Sequence, residues 1–296
     1  MILSMTGFGR GTSSSLTKKI TVEIKSLNSK QFDLIMRVPS SLREREVEER
    51  NFIGANLERG KVELSATSEA VGAEAAMQIN QPVIAAYLSQ LREMGQKLGL
   101  PEPEDWYGVL MRLPDAMKAD NQQLDEADAE AFHKAVEEAV KALVEFRKAE
   151  GRKLYGFFVE KIENIGKLLE QITPYEEERV PKIKARLEEQ LSRLDSIEYD
   201  HGRLEQELIF YIEKLDVTEE KTRLRAHLNY FVETLGEKDG KRASQGQGKK
   251  LGFIAQEMGR EINTLGSKSN HAEMQKIVVR MKDELEQIKE QVLNVL

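Results

Sequence analysis

The chain has 296 residues, of which 40% are hydrophobic and 32% charged, no cysteine, and a net charge of −7. That length suits one large domain or two ordinary ones, and the lack of cysteine excludes disulfides, thiolate metal ligands and cysteine nucleophiles. No stretch approaches the roughly 18 apolar residues of a membrane span, and the opening MILSMTGFGRGTSSS lacks the apolar core of a signal peptide, so a cytoplasmic location is expected.

In chain order, residues 1–70 read as mixed α/β. Residues 2–11 add a first strand. Residues 19–27 (KITVEIKSL) alternate and are β-branched, the pattern of a half-buried strand. Residues 32–38 form the next strand, joined to it as a hairpin by the polar turn Asn28-Ser29-Lys30. Pro39-Ser40-Ser41 starts a helix that runs to 57, and Arg59-Gly60-Lys61 turns into a strand at 62–66.

From about residue 80 the reading is helical: 85–98, ended by Gly99 and Pro101, then an acidic loop with short helices at 101–128. A long helix follows at 129–172, with an interruption expected at Gly151. After Pro174, residues Val180, Ile183, Leu187, Leu191 and Leu194 recur at spacings of three and four, the mark of a coiled-coil-like seam. One helix is expected over 202–235, a flexible basic linker over 236–250 (GEKDGKRASQGQGKK), and two helices over 250–265 and 271–295. The fold class is therefore α+β: a small N-terminal α/β head at 1–70, a helical middle and arm at 71–200 and a C-terminal helical domain at 201–296. Helical arms of this kind pair with other subunits, so a homo-oligomer is expected.

Net charge hides an asymmetry. Residues 1–66 hold eleven Lys or Arg against eight Asp or Glu, and residues 241–296 hold ten against seven, while the middle holds 23 against 36. Basic ends around an acidic middle can conceal a polyanion site; they are equally the pattern of ordinary solvated helix faces.

Two constellations could carry chemistry. In the helix expected over 202–235, Asp216, Glu220, Arg223 and His227 are spaced by four, three and four, which stacks them on one face, with Glu207 further up and Glu219 beside it. Glu257, Arg260, Glu261, Thr264 and Lys268 repeat the pattern on the following helix. Carboxylates with an imidazole suit Mg2+ or Mn2+, and the same spacings are also common on any solvated helix. His133, His201 and His271 show no partner in the sequence. The second constellation is basic turns: Arg10 behind Gly7-Phe8-Gly9, then Lys25, Asn28, Lys30, Arg37, Arg59 and Lys61. Glycine lets a backbone approach a phosphate and Arg or Lys supplies charge, although turns use these residues anyway. No Walker loop, dinucleotide fingerprint, G-x-S-x-G elbow or H-E-x-x-H run is present.

Several blocks in order resemble the YicC-like family: Met5-Thr6-Gly7-Phe8-Gly9-Arg10; residues 22–30 with Asp33-Leu34, Arg37 and Pro39; Arg59-Gly60-Lys61-Val62; Arg203 with Glu207; Asp216 with Glu219-Glu220; Arg223-Leu224 and His227; and residues 248–268, containing the distinctive REINTLGSK. The resemblance covers nearly the whole chain. It implies a stress-associated endoribonuclease that cuts single-stranded RNA with a divalent metal (Mn2+ or Mg2+) and no organic cofactor. It also implies a ring-like homo-oligomer, usually a hexamer, that can enclose RNA. Gly252 and Gly259 stand where the family more often has acidic or amide residues, and Ala226 where serine is common.

On this reading Glu220, His227, Glu257 and Glu261 hold the metal and, with Arg223, form the catalytic set, Asp216 and Glu219 being reserves. Arg223, Arg260 and Lys268 bind phosphate near the cut, while Arg10, Lys25, Asn28, Lys30, Arg37, Arg59 and Lys61 hold RNA elsewhere. A metal-independent attack by a 2′-hydroxyl with His227 as general base is the variant mechanism. The rival functions are a non-catalytic RNA-binding adaptor that recruits a partner nuclease, and a helical scaffold that binds no RNA.

Overall fold

The structure, a computed structural model, describes residues 2–71, 78–118, 125–193, 201–236 and 246–296. It has the α+β class expected: a four-stranded sheet early in the chain, then long helices. The chain forms two compact units, one of residues 8–26 and 31–144, the other of 1–7, 27–30 and 145–296.

In the unit of 8–26 and 31–144, strands β1 (Gly7–Ser14), β2 (Lys18–Leu27), β3 (Phe32–Arg37) and β4 (Gly60–Ala70) form a sheet of order β1-β2-β4-β3. Successive side chains of a strand face opposite sides. Ile20, Val22 and Ile24 of β2 and Val62, Leu64 and Ala66 of β4 thus enter one core with Ile53 and Leu57, from helix α1 (Glu46–Asn56) and its end, and with Phe132, Ala135, Val136, Ala139 and Leu143. The last five lie on helix α4 (Glu126–Glu170). The hairpin expected between β2 and β3 does not form: β4 lies between them, and β3 pairs parallel to β4, Phe32 opposite Gly60 and Arg37 opposite Ser65. A parallel pair needs a crossover, usually a helix, and the 3-10 turn Ser40–Arg45 with α1 supplies it. A two-stranded ribbon of β5 (Gln78–Ile79) and β6 (Met117–Lys118) and helices α2 (Gln81–Leu98) and α3 (Trp106–Leu110) complete the unit. Gly99 ends α2 in the left-handed conformation at φ 64°, as a C-terminal glycine does.

Gly9 and Gly11 explain the GFGRG motif structurally. A Cβ at Gly9 would lie 2.0 Å from the Ala139 carbonyl oxygen, and one at Gly11 2.1 Å from that of Ala135. Two glycines on one face of β1 meet two alanines one turn apart on α4, so strand and helix touch backbone to backbone. The interruption expected at Gly151 is absent, since α4 continues to Glu170.

The other unit holds the rest of α4 with α5 (Thr173–Ser192), α6 (His201–Leu215), α7 (Thr218–Leu235), α8 (Gln247–Lys268) and α9 (Ala272–Val292). Phe158, Ile162, Ile165 and Leu169 of α4 share a core with Leu224, Leu228 and Phe231 of α7, Ile254, Met258 and Ile262 of α8, and Ile277, Met281 and Leu285 of α9. Spacings of three, four and seven put each set on one helical stripe. The two ends of the chain meet here: Ser4 bridges Val295, and the Leu296 N–H donates to the Leu3 carbonyl at 2.9 Å.

The single helix expected over 202–235 is two helices. The Asp216 carboxylate accepts from the Thr218 N–H at 3.1 Å and hydroxyl at 2.7 Å; such local bonds compete with the helical ladder and break it. Of the expected linker, residues 237–245 lie outside the described residues, and Gln247 already starts α8. In the expected seam Ile183 and Leu187 are half-buried, while the side chains of Val180, Leu191 and Leu194 lie outside those described. Among the described residues no helix is long and apolar enough to cross a membrane.

Candidate functional site

Helices α7 and α8 run antiparallel, tied near both ends. The Gln247 amide donates to the Thr234 carbonyl, and Lys268 Nζ lies 2.8 Å from Glu220 Oε1. Glu220 is spaced from Leu224 and Leu228 by four and eight residues, so it shares their apolar stripe and is only 6% exposed. Its other oxygen, Oε2, is buried without a hydrogen-bond partner among the described residues. Lys268 is itself placed by its backbone: its carbonyl accepts from Arg179 Nη1 at 3.1 Å. Arg179 is 5% exposed, and burial lowers its pKa below the ordinary value, against the opposing pull of Glu176 and Asp216.

The other expected ligands lie on the rim. His227 on α7 and Glu257 and Glu261 on α8 are half-buried. Glu257 lies 3.5 Å from Arg260, and exposed Glu219 lies 2.5 Å from exposed Arg223. Asp216 precedes α7, so the four-residue helical stack does not include it; the Thr218 hydroxyl and N–H hold its carboxyl below the usual carboxylate range. Glu207 lies on α6, a different helix from Glu220. Among the described residues no three of His, Asp and Glu come together as a group that could hold a metal. The sequence did not single out Arg179, and no local spacing signals it, because its partner carbonyl is 89 residues away.

On the sheet, strand alternation puts Arg10, Lys25, Arg37 and Lys61 on the face opposite the core, and all four are exposed. Acids interleave with them: Arg10 Nε is 4.0 Å from Glu23, and Arg37 is 3.3 Å from Glu63. Arg59 is half-buried. In the other unit, Lys30 is exposed, and Asn28 donates its side-chain amide to the Leu293 carbonyl at 2.6 Å, an anchoring role the sequence did not suggest. His133 gains a partner in the 1%-exposed Glu49, Nδ1 to Oε1 3.0 Å, and the His271 ring lies against Tyr175 at 5.1 Å.

Comparison with known proteins gives full-length similarity. Residues 2–156 match the N-terminal region described as "Endoribonuclease YicC-like", and residues 172–296 match the corresponding C-terminal region. A Clostridioides difficile protein named "Probable endoribonuclease YicC" is 31% identical over 299 residues, covering 100% of both chains. A Haemophilus influenzae protein of the same name is 29% identical over 298 residues, covering 99% of each.

Proposed function

Because the chain belongs to the YicC-like endoribonuclease family, we propose that it is a metal-dependent endoribonuclease acting on single-stranded RNA in the cytoplasm, with its chemistry on α7 and α8. The observation that carries this reading is similarity across both halves of the family, end to end, with little of the chain left for another activity.

The donor chemistry on α7 and α8 fits a hard divalent cation, since carboxylate oxygens with one imidazole are what Mn2+ and Mg2+ take. The arrangement suits a cation recruited together with substrate: Mg2+ is commonly held by one or two carboxylates plus substrate phosphates rather than by an all-protein cage. Glu257 and Glu261, one turn apart and half-buried on α8, would provide the carboxylates, His227 on the neighbouring helix α7 an imidazole, with Asp216 and Glu219 in reserve. When bound, the ion supplies a more acidic water and charge neutralisation at the scissile phosphate. Glu220 acts differently: fixed to Lys268, it sets where that ammonium stands. Arg223, Arg260 and Lys268 bind the phosphate by charge-assisted hydrogen bonds. His227 takes or returns a proton, including from a 2′-hydroxyl if the ion is dispensable.

The adjacent, exposed Ile209 and Phe210 on α6 support assembly into a homo-oligomer, hexameric by family resemblance, because exposed apolar surface is a common interaction surface. A second reading, the non-catalytic adaptor, draws on the commitment of Glu220 to Lys268 and on the missing three-donor group among the described residues.

Labelled single-stranded RNA incubated with the purified chain and Mn2+ or Mg2+, then with EDTA, separates the two. Cleavage that stops in EDTA and in Glu257→Ala and Glu261→Ala supports the enzyme. Cleavage undiminished in both variants refutes the site, and binding without cleavage establishes the adaptor.

A further inference from the structure

We propose that the recess between α5 and α6 is a nucleobase pocket that takes one unstacked guanine of the RNA; this rests on the reading of the chain as an endoribonuclease and deepens it. The cavity is about 160 Å³, lined by Glu176, Arg179 and Ile183 of α5, Leu208 and Tyr211 of α6, and Asp216. Pockets for drug-sized ligands run to about 300 Å³ and more, so this one suits a single ring system.

Its polar lining is unusual. Arg179 is 5% exposed, Nη1 is spent on the Lys268 carbonyl, and Nε is buried with no hydrogen-bond partner among the described residues. A buried, unmet donor on a cation is costly, and a ligand acceptor would relieve it. The Asp216 carboxylate accepts from Thr218 through Oδ1 alone and retains acceptor capacity, since a carboxylate offers about four lone-pair sites. Glu176 is held by Lys221 Nζ at 2.6 Å.

Two carboxylates beside one arginine do not favour a phosphate. They favour a neutral, flat ligand that donates and accepts along one edge. Guanine fits best among the bases: its N1–H and N2–H groups are adjacent donors for one carboxylate, and its O6 accepts from the guanidinium. Adenine and cytosine offer one donor group, uracil a single N–H. Tyr211 gives the face on which an unstacked base packs, and Ile183 and Leu208 give the apolar walls.

The full-length protein is titrated with guanosine, inosine and adenosine, which carry no phosphate, by calorimetry or saturation-transfer NMR. Guanosine should bind, and inosine, lacking the 2-amino group, should bind at least about tenfold more weakly, the loss of one hydrogen bond to a charged acceptor. Leu208→Trp, which fills the recess, should abolish guanosine binding without changing the circular dichroism melt. Should that variant misfold, Tyr211→Ala should still weaken guanosine about tenfold by removing the stacking face. Equal binding of all three nucleosides, no binding, or guanosine binding unchanged by a folded variant overturns the pocket. Guanosine binding by a protein that cuts no RNA keeps the pocket and removes the nuclease reading; RNA cleavage without guanosine discrimination does the reverse.

Discussion

Glu220, paired with Lys268, shows how one residue can belong to a candidate site and to the core together. The carboxylate lies on the stripe of Leu224 and Leu228, and Lys268 Nζ at 2.8 Å is the cation that makes its burial tolerable. Removing one partner of a buried pair leaves an uncompensated charge, at roughly 3–5 kcal/mol; Lys268 is 31% exposed, which favours the lower end. Lys268→Met should therefore cost about 3 kcal/mol, a fall in Tm of roughly 6–12 °C for a domain of this size. The double variant Lys268→Met/Glu220→Met should recover most of that loss, because partners in contact are not additive. Thermal melts of the two variants decide it: a single variant as stable as the parent would show the pair to be a surface ornament. Half of this was legible in the sequence, since Glu220 lies four and eight residues before two leucines and spacing alone places it on the apolar stripe. Its partner was not legible, because 48 residues separate the two and only tertiary packing brings them together.

At the scale of elements, periodicity reveals which faces are buried and says less about where elements stop or whom they neighbour. The alternation in β2 marks its buried face, yet β3 goes to the far edge of the sheet because β4 takes the place beside β2, a choice made by long-range pairing. The break after α6 depends on one Asp216 side chain bonding locally, and an aspartate inside a helical pattern reads the same whether it caps or not. Within the unit of 8–26 and 31–144, two buried acids have opposite pH signatures, Asp128 tying α4 to β2 and Glu49 tying α1 to α4. At Asp128, burial alone would raise the pKa, but Lys18 Nζ at 2.6 Å and hydrogen bonds from Ser15 and Thr17 outweigh it and hold the carboxyl below the usual range. At Glu49 burial prevails over the His133 hydrogen bond and raises the pKa. A depressed folded pKa gives stability that is present above the unfolded value and lost as pH falls through the folded one. A raised pKa gives stability present in acid and lost as pH rises through it. Urea melts against pH should therefore show Asp128→Asn less stable than the parent near neutrality, with the difference closing only at pH below the ordinary aspartate range. Glu49→Gln should hold or gain stability near neutrality and lose that advantage in acid. Parallel pH curves for all three proteins would contradict both assignments.

For the whole molecule, a net charge of −7 opposes RNA binding on average, so any grip must be local. The exposed face of the sheet is the place proposed for it, because the two-residue period of strands sends Arg10, Lys25, Arg37 and Lys61 outward together; that much could be read from the alternation alone. Their contributions should differ. Arg10 and Arg37 stand beside Glu23 and Glu63 and are partly neutralised, whereas Lys25 and Lys61 are exposed on the same face. Each lysine that contacts a phosphate of single-stranded RNA releases counterions and adds about 0.7 to the slope of log affinity against log salt. Lys25→Ala/Lys61→Ala should therefore lower the slope for an unstructured RNA by about 1.4. Lys97→Ala, an exposed helix lysine 2.7 Å from Glu93, should leave it unchanged, separating a loss of specific contacts from a general loss of positive charge. Equal slopes for the double variant and the parent would move the RNA grip off this face, whereas a reduced slope with cleavage retained at low salt would separate holding the strand from cutting it.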